Sequence, residues 1–218
     1  MQQKSWILSV LAIFAGIYLF SQGFLLTRVA LPQTSTSVAL DARYRRVVLV
    51  MIDALRYDFL CPTLKTHPGL FENKLPVVKH LLATQPTHSL LLKGLADPPT
   101  TTLQRLVAIM TGGLPTLVDA STNFNGARVS QDNLISQIVH AGGNIITIGD
   151  DTWQKLFDDQ LDPRSVFYPS FDVWDLDTVD RGVEEHLFPL LSAKNDAKLT
   201  IAHFLGVDHA GHRYGFSR

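Results

Sequence analysis

Cysteine is almost absent: Cys61 stands alone among 218 residues, so no internal disulfide framework can staple the chain. That leaves the compartment open, because a large domain can be secreted without disulfides. There is no Asn-x-Ser/Thr sequon, which removes glycosylation as a guide. Excess charge is missing as well. A formal net charge of −1 excludes the strong basic field expected of a nucleic-acid binder. Internal repeats and low-complexity tracts are lacking too, which excludes a solenoid or a disordered chain.

The first positive feature is also a lack of charge. Residues 5–27 (SWILSVLAIFAGIYLFSQGFLLT) carry no charged side chain. As a helix they would extend about 35 Å, enough to cross a hydrocarbon core of about 30 Å. A helix apolar on every side at the N-terminus suits a membrane anchor better than a protein core. A cleaved signal peptide is the rival reading. Against it, the apolar stretch exceeds the usual h-region and no small-x-small site closes it. The predicted organisation is a tail (1–4), a transmembrane anchor (5–31), a polar linker (32–42) and one domain (43–218). Lys4 precedes the span, whereas Arg28, Arg43, Arg45 and Arg46 follow it. Taken literally, the positive-inside rule leaves the domain cytoplasmic. Three of those arginines enter the domain, where charge bias counts for less, so sequence alone does not orient the protein.

Within the domain, short apolar runs alternate with helical patterns. Strands are predicted over 46–52, 90–92, 144–148 and 199–205. Helices are predicted over 73–84 (interrupted near Pro76), 101–110 (ending at Gly112-Gly113), 131–141 (capped by Ser130) and 178–192. This alternation implies β-α-β units and a mostly parallel sheet flanked by helices. In such sheets functional groups gather beyond the carboxyl ends of strands. Asp53, Asp150 and Asp208 each follow an apolar run by one to three residues, which points to one shared crevice.

Three groups in that crevice could carry chemistry. Asp53 closes the first strand; it is either a helix cap or a ligand. Thr100 follows Pro98-Pro99 and opens a Leu/Val-rich helix. Thr100, Thr101 and Thr102 offer three hydroxyls for simple capping. Alternatively, a hydroxyl at a helix N-terminus beside a metal can be deprotonated and attack phosphorus. Asp208 and His212 are four residues apart and could reach one zinc ion if a loop turns at Gly211. His203, inside an apolar strand, suits a satisfied core histidine, and His209 points away if its neighbours converge.

In order, a strand-end Asp53, a helix-opening Thr100 and the segment Asp208-x-x-Gly211-His212 resemble the alkaline phosphatase superfamily. The stretches 21–28 (SQGFLLTR), 47–59 (VVLVMIDALRYDF), 97–116 (DPPTTTLQRLVAIMTGGLPT), 148–157 (IGDDTWQKLF) and 205–215 (LGVDHAGHRYG) narrow this. They look most like the GPI ethanolamine phosphate transferases, in the branch acting on the third mannose. The resemblance implies an alkaline-phosphatase-like α/β domain and two Zn2+ ions. Asp53 and Thr100 would hold one ion, Asp208 and His212 the other. Thr100 would be the nucleophile, and Asn123 would bind a phosphate oxygen. The family completes both metal sites with a later Asp-His-Gly segment and a further histidine. Neither is in this sequence, so the expectation is an incomplete domain, inactive alone.

The implied reaction moves phosphoethanolamine from phosphatidylethanolamine to a mannose of the GPI precursor through a phosphoethanolamine-threonine intermediate. The implied setting is the endoplasmic reticulum membrane, with the domain luminal and a small multi-spanning subunit as partner. Two alternatives are a metal-dependent phosphodiesterase or nucleotide pyrophosphatase of the same superfamily, and an inert truncated fragment. Sulfatase chemistry is disfavoured, because that class needs Cys or Ser in C/S-x-P-x-R where this chain has Thr100-Thr101-Thr102-Leu103-Gln104. Asp150 and Asp151 receive no role from the resemblance.

Overall fold

The computed structural model describes residues 2–24, 33, 35, 43–61, 69–114 and 128–215. Asn123 and nearly all of the predicted linker lie outside the described residues. Helix α1 (Gln2–Phe24) contains the window Trp6–Gly23, long and apolar enough to cross a membrane, with none of that window buried. Trp6, Leu8, Phe14 and Leu19 all face outward, a surface that only another apolar phase would cover.

Four strands, β1 (Val47–Ile52), β2 (Asn144–Asp150), β3 (Val166–Tyr168) and β4 (Ala197–Phe204), form one parallel sheet in the order β1-β4-β2-β3. Strands β2 and β4 lie between neighbours and are buried on both faces, which explains why they read as near-continuous apolar runs. Alternation divides their side chains. Ile145, Leu199 and Ile201 point to one face, where Leu106 and Met110 of α4 (Thr102–Thr111), Ile135 of α5 (Leu134–His140) and Trp153, Leu156 and Phe157 of α6 (Thr152–Phe157) cover them. Ile146, Ile148 and Ala202 point to the other, against Val183 and Leu187 of α7 (Thr178–Ser192). Each fully buried Ile or Leu stabilises the fold by about 1.5–3 kcal/mol before chain entropy is subtracted. The parallel sheet flanked by helices is the predicted class and fits an alkaline-phosphatase-like arrangement.

Several local expectations shift. The segment 90–92 is not a strand: Leu90 and Leu92 are exposed and pair with no described strand. Helix α3 (Pro76–Thr84) begins at the proline that was expected to interrupt it; Pro suits the first helical position because no N–H is needed there. Helix α5 is capped by Asn133, not Ser130, and Asn133 Oδ1 accepts the Ser136 N–H at 2.9 Å. A short α2 (Tyr57–Leu60) follows β1. The segment after β4 is a helix rather than a loop, α8 (Gly206–Tyr214).

Candidate active site at the carboxyl edge of the sheet

Asp53 is fixed by the sheet itself. Its N–H donates to the Phe204 carbonyl at 3.0 Å, carrying the β1–β4 ladder one step past the strand. The chain then turns through Ala54, whose φ of 55° is a strained region for a residue with a Cβ. Ala54 N–H donates to Asp53 Oδ1 at 2.7 Å, and Thr102 Oγ1–H donates to Asp53 Oδ2 at 2.7 Å. Thr102 is the first residue of α4, with Thr101 at the N-cap. Thr100 is exposed, and among the described residues it makes no bond to Asp53. Of the three consecutive hydroxyls, the structure therefore brings Thr102 rather than Thr100 to the acid. The reason is positional: Thr100 belongs to the extended approach, while Thr102 is already carried by the helix.

Asp208 and His212 lie on one face of α8, one turn apart, with His212 Nε2 3.4 Å from Asp208 Oδ2. Helical periodicity achieves the convergence that was expected of a turn at Gly211. Burial pushes the Asp208 carboxyl above its ordinary pKa, and the like charge of Asp53 pushes it further; His212 and His209 partly oppose this. His209 is buried, with its ring nitrogens 2.7 Å from the Asp175 carbonyl and 3.1 Å from that of Ser170, a structural role.

Behind Asp53 lies a buried polar group built on His203, which the sequence placed in the core without a role. Trp153 Nε1–H donates to His203 Nδ1 at 3.0 Å. Indole is only a donor, so Nδ1 accepts and the neutral ring carries its proton on Nε2, 3.8 Å from Asp53 Oδ2. Burial holds the His203 pKa below the usual histidine value, although Asp150 and Asp53 pull it the other way. Asp150 is buried; Oδ1 accepts the Thr152 N–H at 2.7 Å, and Oδ2 lies 3.6 Å from His203 Nδ1 with no hydrogen-bond partner among the described residues. Asp151, by contrast, anchors the loop. It accepts the Ser170 hydroxyl at 2.6 Å and pairs with Lys155 at 3.0 Å.

Comparison with known proteins bears directly on this arrangement. The human protein named "GPI ethanolamine phosphate transferase 3, catalytic subunit" is 42% identical over 98% of this chain. The Saccharomyces cerevisiae "GPI ethanolamine phosphate transferase 3" is 41% identical over 93% of it. The chain is homologous to the GPI ethanolamine phosphate transferases. It spans about a fifth of the length of these relatives, 22% of the human protein and 21% of the yeast one. The human "GPI ethanolamine phosphate transferase 2, catalytic subunit" is more distant, 37% identical over 79% of this chain and 16% of its own length. No family model matches, and no solved structure matches.

For a GPI ethanolamine phosphate transferase homologue, fitness of these residues for a cation can be tested on the donor set. Ligand atoms of Asp53, Asp150 and His203 all lie within 4.8 Å of one another, a group that could hold a metal ion. The orphaned, buried Asp150 Oδ2 is consistent with a missing positive partner. Ligation through His203 Nε2 would require moving its proton to Nδ1 and breaking the Trp153 bond. Asp53, Thr102, Asp208 and His212 carry no such conflict, and oxygen and imidazole donors suit zinc. The charge of Asp53 adds to the raised proton affinity of Asp208, and the Asp53–Thr102 and Asp208–His212 pairs each offer oxygen or imidazole donors that suit a divalent cation.

Proposed function

We propose that this chain carries the nucleophile and part of the metal-binding groups of a phosphoethanolamine transferase of GPI-anchor biosynthesis. The observation that carries the proposal is the 2.7 Å bond from the Thr102 hydroxyl to Asp53 Oδ2 at the start of α4. Thr102 replaces Thr100 in the nucleophile role. Its oxygen attacks the phosphorus of phosphatidylethanolamine, the P–O bond to diacylglycerol breaks, the proton lost by Thr102 ends on the departing diacylglycerol oxygen, and phosphoethanolamine remains on Thr102. The mannose hydroxyl then attacks the same phosphorus, the P–O bond to Thr102 breaks, and the proton lost by the mannose hydroxyl ends on the Thr102 oxygen. Asp53 fixes the Thr102 rotamer, His203 Nε2–H and the Ala54 N–H flank the Asp53 carboxylate, and the free N–H groups of α4 favour phosphate oxygens. Asp208 and His212 would orient the acceptor hydroxyl. Zinc held by Asp53, Thr102, Asp208 and His212 would supply charge for the phosphoryl oxygens and lower the hydroxyl pKa.

The human and mouse relatives are named catalytic subunits, in keeping with a membrane partner subunit. The third mannose is the favoured acceptor because relatives numbered 3 match at higher identity than the human relative numbered 2. An endoplasmic reticulum setting with a luminal domain agrees with an anchor helix and lipid substrates, which the tether would meet at high effective concentration. The remaining ligands of both ions are expected from outside this chain, which alone would be inactive.

The test replaces the matching segment of the human relative by this chain, in cells deficient in that relative. Thr102→Ala should abolish return of GPI-anchored proteins to the cell surface, whereas Thr100→Ala should retain it. Loss with Thr100→Ala and not with Thr102→Ala would return the role to Thr100 and reject this geometry.

A further inference from the structure

Beside the proposed phosphoryl site lies a cavity of about 480 Å³ that the mechanism above does not use. Its walls include Phe59, Phe71, Leu176, Asp180, Gly206 and Tyr214. It also touches Ala54, Val207 and Gly211, the immediate neighbours of Asp53, Asp208 and His212. On α8 the cavity runs along the face of Val207, Ala210, Gly211 and Tyr214, next to the face that carries Asp208 and His212.

Its one carboxylate is divided between two tasks. Asp180 Oδ1 accepts the Leu205 N–H at 2.8 Å and the Gly206 N–H at 3.0 Å, which ties α7 to the start of α8. Oδ2 takes part in neither bond. A Cβ built on Gly206 would lie 2.5 Å from Asp180 Oδ2 and 3.0 Å from the Leu176 carbonyl oxygen. Glycine at 206 thus keeps open a corner where a charged and a neutral oxygen converge. Aromatic rings complete the cavity. Phe59 and Phe71 already hold one cation, the Arg56 guanidinium, 5.1 Å and 5.5 Å from their centroids. That charge is answered by Asp58 at 2.5 Å, and Arg213 stacks on Trp174 and Tyr214, so neither arginine pairs with Asp180.

We infer that this cavity is a subsite for a primary ammonium group, with Asp180 Oδ2 and the Leu176 carbonyl as its acceptors. A carboxylate oxygen, a carbonyl oxygen and aromatic faces together match the donors and charge of an ammonium on a short chain. The volume lies in the range of small-molecule sites and exceeds what an aminoethyl group needs, leaving room for the ester that joins it to phosphorus. Resting on the reading above, the subsite makes Asp180 a specificity determinant for the ethanolamine headgroup of the donor.

Asp180→Asn keeps an oxygen for the two backbone N–H groups while removing the charge and turning the second atom into a donor. In the chimera described above, donor vesicles of phosphatidylethanolamine are compared with amine-free phosphatidylethanol, and kcat/KM is read for each. Asp180→Asn should lower kcat/KM for the ethanolamine donor about tenfold or more and leave the amine-free donor within about twofold. Equal loss on both donors, or an unchanged preference, overturns the subsite. If the unsubstituted chimera transfers nothing, the functional reading fails separately. Ligand-observed NMR with soluble O-phosphoethanolamine against ethyl phosphate then decides the cavity: amine-dependent binding lost in Asp180→Asn sustains it, and equal binding of both probes rejects it.

Discussion

At the scale of single residues, the site depends on backbone features as much as on side chains. Gly149 has a φ of 127°, and a Cβ there would lie 2.1 Å from the His203 carbonyl oxygen. Strict alternation along β2 would send Asp150 to the face of Ile146 and Ile148. The left-handed step at Gly149 breaks that alternation and lets Asp150 approach His203. Gly149→Ala should therefore destabilise the fold by about 1–3 kcal/mol from backbone strain alone, and by more once the β4 contact is forced apart. Gly142→Ala is the matched comparison: its φ is also positive, at 75°, but nothing lies within 4 Å of its added Cβ. Thermal melts of the two variants should separate strain from collision. If Gly149→Ala melts no lower than Gly142→Ala, the close packing of β2 on β4 is not what holds Asp150 in place.

Among the elements, those with a strong apolar period were legible in the sequence, and those set by special residues were not. Strands β1, β2 and β4 and helices α4 and α7 emerge from runs and stripes that a two-sided sheet requires. Helix α8 was hidden because Gly206 and Gly211 are poor helix formers and mark loops elsewhere. What keeps it helical is external: Asp180 accepts its leading N–H groups, and buried His209 ties its inner face to the carbonyls of Asp175 and Ser170. The placement of the proposed site residues Asp53, Asp208 and His212 was legible because each follows a buried strand or repeats at helical spacing. Thr102 was not separable from Thr100, since three adjacent hydroxyls are equivalent until the helix start is known. His203 was read as a core residue, which it is; only the fold shows that the core there borders Asp53. The misplaced cap of α5 yields a direct check. Asn133 is buried, its Oδ1 takes the Ser136 N–H, and its amide donates to the Gln131 carbonyl and Ser136 Oγ, each at 2.8 Å. Asn133→Ala should cost about 1–2 kcal/mol in chemical denaturation, whereas Ser130→Ala should change stability by less than about 0.5 kcal/mol. Equal effects would restore Ser130 as the cap.

For the whole molecule, the unresolved tension is between charge and chemistry. The arginines that follow α1 favour a cytoplasmic domain, while the proposed reaction favours a luminal one. The positive-inside bias acts through charges close to the span, and a long folded domain crosses largely regardless of it. Arg43, Arg45 and Arg46 stand at the entrance to β1, well past the end of α1, and leave Arg28 as the charge that counts against Lys4. One residue on each side is a weak determinant, so the domain is free to take the side on which the proposed substrates lie. In sealed microsomes bearing the chimera, added protease should spare the domain until detergent is supplied. Alkaline carbonate should leave the polypeptide in the pellet, as expected for a spanning helix with an apolar surface on every side. Digestion of the domain in intact vesicles would place it in the cytoplasm, where the luminal reading of the reaction cannot stand.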